Sequence, residues 1–150
     1  MTLGAEVQTL RKVPMFREVD PSRLKLLAFT SERISFRDGQ RFFSQSDAAD
    51  AAYVILEGQA AVVIGTGDSQ LEVAKLGQND LVGEMAILSG TPRSATVVAR
   101  SDVSALRIDK SVFLELLTQF PQISIAVMRE LASRLERTNA QLVARSSAGR

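Results

Sequence analysis

The sequence predicts a mainly β (α+β) fold, an antiparallel jelly roll or β-roll with N-terminal helices and a long C-terminal helix. Between Ser31 and Asp109, short apolar or alternating runs recur at roughly ten-residue spacing with turn signals between them, which is typical of antiparallel sandwiches and barrels. Before and after this region, apolar residues recur at helical spacing instead. We therefore interpret residues 1–150 as a single domain with a β-roll at its centre.

Residues 1–30 form the helical opening. Apolar side chains recur every three residues in its first half, at Val7, Leu10, Val13 and Phe16. In its second half, Pro21 suits the first turn of a helix, and Asp20 suits the N-cap because a carboxylate there accepts from free backbone N–H groups. Two short helices are the prediction.

The β-roll is predicted over residues 31–109. Alternating or continuous apolar runs mark its strands, and turn signals such as Asp38-Gly39 separate them. The strands are expected around Ile34 and Phe36, beginning at Phe42-Phe43, and at residues 52–57, 60–64, 71–76, 95–99 and 103–108. The pattern does not alternate strands with helices, so a parallel βαβ sheet is not expected.

Residues 110–144 are predicted to be helical, and residues 145–150 are predicted to be a frayed tail. Asp109 is the candidate cap of the first helix, and Phe120-Pro121 interrupts the pattern because the residue before a proline disfavours helix. The final helix, from about Gln122 to about Val143, carries the apolar stripe Ile123, Val127, Leu131, Leu135 and Leu142. Its spacing is close to a heptad, which suits a homodimer through this helix or packing on the same chain's β-roll.

The composition excludes several classes of function. The chain contains neither cysteine nor histidine, which removes disulfides, thiolate nucleophiles, histidine-ligated metals and the commonest general base. We expect no catalytic residues, no metal, no cofactor and no enzyme activity. Lysine and arginine number 18 against 17 acidic residues, so charge gives no argument for nucleic acid or membrane. With no apolar run of membrane-spanning length and no secretory pattern at the N-terminus, a cytoplasmic location is expected.

One segment, residues 82–97, has residue types suited to binding a phosphate. Gly83 permits close approach of the backbone, and Glu84 to Leu88 fit a short helical turn whose free N–H groups favour an anion. Arg93, in a loop stiffened by the proline before it, can present a planar fork to a phosphate. Glu84 would repel a phosphate but can accept hydrogen bonds from sugar hydroxyls. The combination indicates a nucleoside monophosphate or a sugar phosphate. The alternative is a surface loop in which Glu84 and Arg93 are solvated or paired with each other.

This segment resembles the phosphate-binding cassette of the cyclic-nucleotide-binding domain family. The resemblance rests on Gly83-Glu84-Met85-Ala86 and on Pro92-Arg93-Ser94-Ala95-Thr96-Val97. Tyr53-Val54-Ile55-Leu56-Glu57-Gly58 is similar to the family's usual strand and glycine. The resemblance covers nearly the whole chain, and it implies a β-roll that binds cAMP or a close relative and acts as a regulatory domain.

The resemblance also implies a role for each matching residue. Arg93 would neutralise the cyclic phosphate, helped by backbone N–H groups near Ala86 and Ser94, while Glu84 would accept from the ribose 2′-hydroxyl. Serine at position 94 favours cAMP over cGMP, because similar sequences often carry threonine there when cGMP is preferred. The implied ligand-binding residues are Gly83, Glu84, Met85, Ala86, Arg93, Ser94, Ala95, Thr138 and Asn139. The last two stand where members of the family contact adenine, although Thr138 equally fits a tolerated polar residue in a helix seam.

Two positions depart from the family pattern. Val82 stands where phenylalanine is common, and Ser46 stands at a turn position that is commonly glycine. Neither side chain is expected to contact a ligand, so the departures bear on turn geometry more than on binding.

Several alternatives remain open at this stage. The chain could be a β-roll sensor of another small effector or a ligand-free oligomerisation module, while a cupin-like enzyme is disfavoured by the missing histidines. As partners we expect a cyclic nucleotide, a second copy of the chain and an effector protein. We expect no nucleic acid bound by this chain alone and no membrane. Ligand binding is expected to draw the final helix over the base and so to shift a pre-existing equilibrium.

Overall fold

The computed structural model describes residues 3–65, 67–129, 131–133 and 136. Its elements are α1 (Leu3–Lys12), α2 (Pro21–Thr30), β1 (Glu32–Phe36), β2 (Arg41–Phe43), β3 (Ala51–Glu57), β4 (Ala60–Ile64), β5 (Leu71–Leu76), β6 (Leu81–Val82), α3 (Glu84–Ser89), β7 (Thr96–Ala99), β8 (Val103–Asp109) and α4 (Lys110–Gln119). Short 3-10 turns cover Pro14–Phe16 and Gly67–Ser69. Residues 121–129 and 131–133 are also helical, and we call them the final helical segment.

The strands form two antiparallel sheets, in the orders β1-β8-β3-β6 and β2-β7-β4-β5. Together with the flanking helices they confirm the predicted β-roll. The first six residues of β3 are all buried, which explains why this strand is continuously apolar rather than alternating. One of its faces packs against the second sheet and the other packs against the helices.

Two apolar cores therefore lie on opposite faces of β3. The core between the sheets contains Ala51, Tyr53 and Ile55 of β3, together with the stacked rings of Phe36 and Phe42. The core between the first sheet and the helices contains the intervening β3 residues Ala52, Val54 and Leu56 with Leu10, Phe16, Leu24 and Phe113. The core between the first sheet and the helices holds the helices against the roll. The core between the two sheets extends to Phe43 and Val82, beside the predicted cassette.

Two helix boundaries agree with the sequence prediction, namely the start of α2 and the end of α4. Asp20 is the N-cap of α2, and its side chain accepts a hydrogen bond from the Ser22 N–H at 3.3 Å. At the other boundary, α4 ends at Gln119 and Phe120 has an extended backbone before Pro121.

The side chain of Asp109 does not make the hydrogen bond that is usual for a helix cap, although the residue occupies the N-cap position of α4. Its carboxylate accepts instead from Nη1 of Arg107 on the same strand, because a charged donor competes well with a neutral backbone N–H. Arg107 also forms an ion pair with Asp50, at 3.4 Å.

The final helical segment packs on the helical core through the buried side chains of Ile123 and Val127. The later part of the predicted stripe, Leu135 and Leu142, lies outside the described residues, as do Thr138 and Asn139. Among the described residues, no single helix has the length and apolar character needed to cross a membrane. The two consecutive helices Lys110–Gln119 and Pro121–Ser133 reach that length and apolar character only when they are taken together, and the chain bends by 104° between them.

Candidate functional site

The predicted cassette lies between β6 and β7 and is built around α3. Gly83, the N-cap of α3, has φ +85°, and Gly90, its C-cap, has φ +67°. Both values lie in the left-handed region that favours glycine. The two glycines therefore confine α3 to six residues and bring the chain back towards β7.

Arg93 lies at the centre of the site and is buried, with only 3% of its surface exposed. Its Nη1 donates to the carbonyl oxygen of Gly83 and its Nη2 to the carbonyl oxygen of Ala51, both at 2.5 Å. Its Cζ lies 3.8 Å from the centre of the Phe43 ring. Its Nε is buried without a hydrogen-bond partner. The guanidinium is therefore fixed by two carbonyls and one aromatic face.

The backbone of Arg93 is anchored as firmly as its side chain. Its N–H donates to the carbonyl of Asp47, and its carbonyl accepts from the N–H of Ser46, both at 2.8 Å. Ser46 has φ +78°, a left-handed conformation that explains why glycine suits this turn position. Ser46 thus adopts the backbone conformation of the glycine that is common at this position, and it does so at a cost in backbone strain.

Burial lowers the pKa of Arg93 from its ordinary value, and nearby negative or ionisable groups at Tyr53, Asp50, Asp47 and Glu84 oppose that shift. An arginine stays protonated in proteins even when its pKa falls. None of the carboxylates within the described residues forms an ion pair with Arg93. The site consequently holds a buried positive charge whose direct partners are neutral.

Glu84 is the second buried charged residue of the cassette, with 4% of its surface exposed. It lines a cleft of about 580 Å³ that lies between the turn at Pro14–Phe16, the β5–β6 turn and the final helical segment. The cleft also carries Arg17 and Arg129, and it is bordered by Asn79, whose Oδ1 is buried without a hydrogen-bond partner. Glu84 thus faces polar groups and the final helical segment, whereas Arg93 faces Phe43.

The other predicted residues are distributed around these two. Gly83 is brought directly against Arg93, since a Cβ added at Gly83 would lie 2.6 Å from Nη1 of Arg93 and 3.0 Å from Cε2 of Phe43. Met85, Ala86 and Ala95 are partly buried, and Ser94 is exposed. No group of three or more acidic side chains within the described part of the chain could hold a metal ion.

Two residues that contact Arg93, Ala51 and Phe43, were not among the predicted site residues. Ala51 acts through its carbonyl, and a backbone acceptor leaves no trace in residue type. Phe43 was assigned only to a strand, and its contact with Arg93 depends on an irregularity in the pairing of β2 with β7. An aromatic residue can stack on an arginine, so the residue type of Phe43 is compatible with this contact. Nothing in the sequence, however, indicates that Phe43 and Arg93 lie next to each other.

The arrangement is suited to a small anion with hydroxyl groups attached. Arg93 can exchange carbonyl oxygens for the oxygens of a phosphate, and Glu84 can accept hydrogen bonds from a sugar. The two-sheet roll with a short helix between β6 and β7 defines a β-roll domain. A sequence model described as "Cyclic nucleotide-binding domain" matches residues 33–120, which is more than half of the chain. The chain belongs to this family.

Curated proteins and solved structures agree with the assignment. The chain is 26% identical over 136 residues to the "CRP-like cAMP-activated global transcriptional regulator" of Mycobacterium tuberculosis, covering 90% of this chain and 61% of that protein. It is 30% identical to a cyclic nucleotide-binding-like protein from Brucella abortus, covering 75% of this chain and 97% of that one with a TM-score of 0.66. It is 28% identical to the catabolite activator protein of Thermus thermophilus, covering 86% and 61% of the two chains with a TM-score of 0.77.

The coverage of the relatives is itself informative. The chain spans about 61% of the length of the curated relatives that it matches. The similarity therefore includes the β-roll and its flanking helices but not the whole of those regulators.

Proposed function

We propose that this chain is a regulatory sensor that binds a cyclic nucleotide, cAMP in preference to cGMP, and performs no catalysis. The observation that carries the proposal is Arg93. Its guanidinium is buried, it forms no ion pair with a carboxylate of the described residues, and its Nε has no hydrogen-bond partner. Burying a charged group in this way is unfavourable in free energy. A phosphate diester offers charge and acceptor oxygens for which this group is suited.

Glu84 supports the sugar half of the proposal. A buried carboxylate is an acceptor only, so its natural partners are hydroxyl and N–H groups. Placed next to Gly83, whose carbonyl contacts Arg93, Glu84 is a candidate for the ribose 2′-hydroxyl of a nucleotide whose phosphate lies at Arg93. Serine at position 94 and the name of the Mycobacterium tuberculosis relative favour cAMP over cGMP.

Titration of the purified, nucleotide-stripped protein with cAMP and with cGMP tests the proposal. Calorimetry gives the affinities, and the fluorescence of Tyr53 gives an independent signal because the chain has one tyrosine and no tryptophan. The Tyr53 ring centre lies 6.3 Å from that of Phe43, which stacks on Arg93. Saturable binding with cAMP tighter than cGMP is expected. A folded protein that binds neither would overturn the proposal and favour a ligand-free oligomerisation module or a sensor of another effector.

Glu84→Gln separates the sugar contact from the phosphate contact. We expect about a 10- to 100-fold loss of affinity for cAMP, because hydrogen bonds to a charged group contribute about 1.5–3 kcal/mol. For 2′-deoxy-cAMP, which lacks the hydroxyl, the same substitution should leave affinity unchanged or raise it slightly, since it also removes a charge that repels phosphate. Calorimetry on the two ligands with the two proteins checks this. Equal losses for both ligands would show that Glu84 acts on the fold and not on the ribose.

The final helical segment is proposed to couple ligand binding to a partner. Gln122, Ile125, Ala126 and Arg129 line the same cleft as Glu84, so a ligand that contacts Glu84 also reaches this segment. Met128 is 60% exposed and is available for contact with a second copy or an effector protein. The ligand would then shift the position of the segment by its differential affinity for the two arrangements.

Leu131→Asp tests this coupling. Leu131 packs against the helical core, and a carboxylate there should release the segment and lower cAMP affinity by about fivefold or more, the lower end of typical coupling energies. Ala132→Asp is the matched control, because it places the same charge at an exposed position of the same segment other than Met128. Affinity by calorimetry and self-association by analytical ultracentrifugation are measured for both variants. If Leu131→Asp changes neither quantity, the segment has no such role.

A further inference from the structure

Arg93 is oriented by groups that carry no net charge. Its two hydrogen-bond acceptors are the carbonyls of Gly83 and Ala51, and its third contact is the face of the Phe43 ring. Buried arginines are commonly paired with a carboxylate, which fixes the guanidinium and also neutralises it. Here the guanidinium is fixed and its charge is left available for a ligand.

Phe43 reaches Arg93 because β2 is irregular. Arg41 pairs with Val98 and Phe43 pairs with Val97, so β2 has one residue more than β7 across this interval. In a regular strand Phe42 and Phe43 would point to opposite faces. The bulge instead lets Phe42 stack on Phe36 inside the roll while Phe43 packs at the edge of the same core. Bulges of this kind re-aim side chains beside functional sites.

The Phe43 ring also contacts the other side of the site. A Cβ at Gly83 would lie 3.0 Å from Cε2 of Phe43 and 2.6 Å from Nη1 of Arg93. Phe43, Gly83 and Arg93 are therefore packed as one unit, and movement of the ring opens space for the guanidinium to turn. Tyr53 supports the ring from within the roll, with the centroids 6.3 Å apart and the planes inclined by 33°.

We propose that Phe43 is a positioning residue, whose ring holds the Arg93 guanidinium in the orientation that receives a phosphate without neutralising its charge. The inference rests on the proposed function, since it concerns the site where a cyclic nucleotide would bind. An aromatic face attracts a cation through its quadrupole and supplies a flat support for a planar guanidinium. A carboxylate in its place would compete with the ligand's phosphate for the same donors.

Three substitutions test the proposal by calorimetry with cAMP. Phe43→Leu removes the ring and should weaken binding by about three- to 30-fold, the range set by cation–π energies. Phe43→Tyr keeps an aromatic face and should restore wild-type affinity. Phe42→Leu is the matched control, because it makes the same change at a neighbouring buried ring. Phe42 is 7% exposed, and its ring centre lies 4.1 Å from that of Phe36. This control should lower the unfolding midpoint while leaving affinity within about twofold.

A double-mutant cycle distinguishes positioning from general packing. In the Arg93→Met background, Phe43→Leu should have no further effect on residual nucleotide binding, because the group that it positions is gone. Full wild-type affinity in Phe43→Leu, or equal losses in Phe43→Leu and Phe42→Leu, would overturn the proposal.

The free protein provides a readout that does not depend on nucleotide. In NMR spectra of the Arg Nε–Hε groups, the Arg93 signal, assigned with an Arg93→Lys sample, should be shifted by the ring current of Phe43. It should move in Phe43→Leu and stay in Phe42→Leu. If the wild type binds no cyclic nucleotide, the proposed function fails, and this signal still decides whether Phe43 fixes Arg93. An unmoved signal in Phe43→Leu would overturn the inference on its own.

Discussion

Arg93→Met is expected to lower the affinity for cAMP by about 10²- to 10⁴-fold. The wild-type guanidinium can donate two charge-assisted hydrogen bonds to a phosphate, each contributing about 1.5–3 kcal/mol. Methionine keeps much of the apolar volume and removes all of the donors. Arg93→Lys, which keeps the charge but not the planar fork, should fall between the two proteins. Calorimetry with cAMP measures all three.

Stability should respond differently from affinity in Arg93→Met. The substitution removes a buried cation whose desolvation is unfavourable, and it leaves two carbonyls, of Gly83 and Ala51, without their donors. These two effects oppose each other, so we expect the free energy of unfolding to change by no more than about 1 kcal/mol. Saturating cAMP should raise the unfolding midpoint of the wild type but not that of the variant.

Arg100 provides the control for Arg93. It lies one position beyond β7, is exposed, and pairs with Glu72 at 3.5 Å. Arg100→Met should change neither affinity nor the midpoint by much, because exposed ion pairs contribute little. Near-equal affinity of wild type and Arg93→Met, or a loss in Arg100→Met as large as that in Arg93→Met, would remove Arg93 from the binding site.

Much of the fold could be predicted because local signals and global packing agree. Asp20-Pro21 begins a helix at the N-terminus, Phe120-Pro121 separates two helices near the end, and the apolar run at 51–56 forms a strand that is buried on both faces. Each of these depends on backbone restriction or on hydrophobic burial, which act over a few residues. Such signals are visible in a single sequence.

The placement of Gly83, Glu84 and Arg93 in one segment between two strands was predictable for a related reason. Gly83, Glu84 and Arg93 lie within a short stretch of chain, and their residue types are matched to their surroundings. Gly83 has a positive φ and a close neighbour, and the two charged residues are buried. The prediction that one short segment carries both charged groups could therefore be made before the tertiary structure was known.

The partners of these residues could not be predicted in the same way. Ala51 and Phe43 meet Arg93 only because β3 and β2 converge on it from distant parts of the chain. The carbonyl of Ala51 would be equally good on any residue, and the aim of Phe43 depends on a bulge in strand pairing. Likewise, Asp109 occupies the predicted N-cap position of α4, but the sequence did not show that its carboxylate would accept from Arg107.

Gly83→Ala is expected to weaken cAMP binding more than any substitution at the site except Arg93→Met and Glu84→Gln, and the loss expected for Glu84→Gln is of the same size. The added Cβ would meet Nη1 of Arg93 at 2.6 Å. Because that atom is the far end of a flexible side chain, the least costly relief is to displace the guanidinium. Displacement would sacrifice its hydrogen bond to the Gly83 carbonyl and its alignment for phosphate. We expect about a 10- to 100-fold loss of cAMP affinity.

Gly90→Ala isolates this steric effect from the cost of a positive φ. Gly90 has φ +67° at the other end of α3, and a Cβ there would meet nothing within 4 Å. Both variants should lose about 1–2 kcal/mol of stability from the left-handed conformation, measured by urea unfolding, but only Gly83→Ala should lose affinity. If both lose affinity equally, the strain of α3 itself controls binding. If neither does, Arg93 does not need the orientation that Gly83 permits, and the phosphate would have to be bound by another part of the cassette.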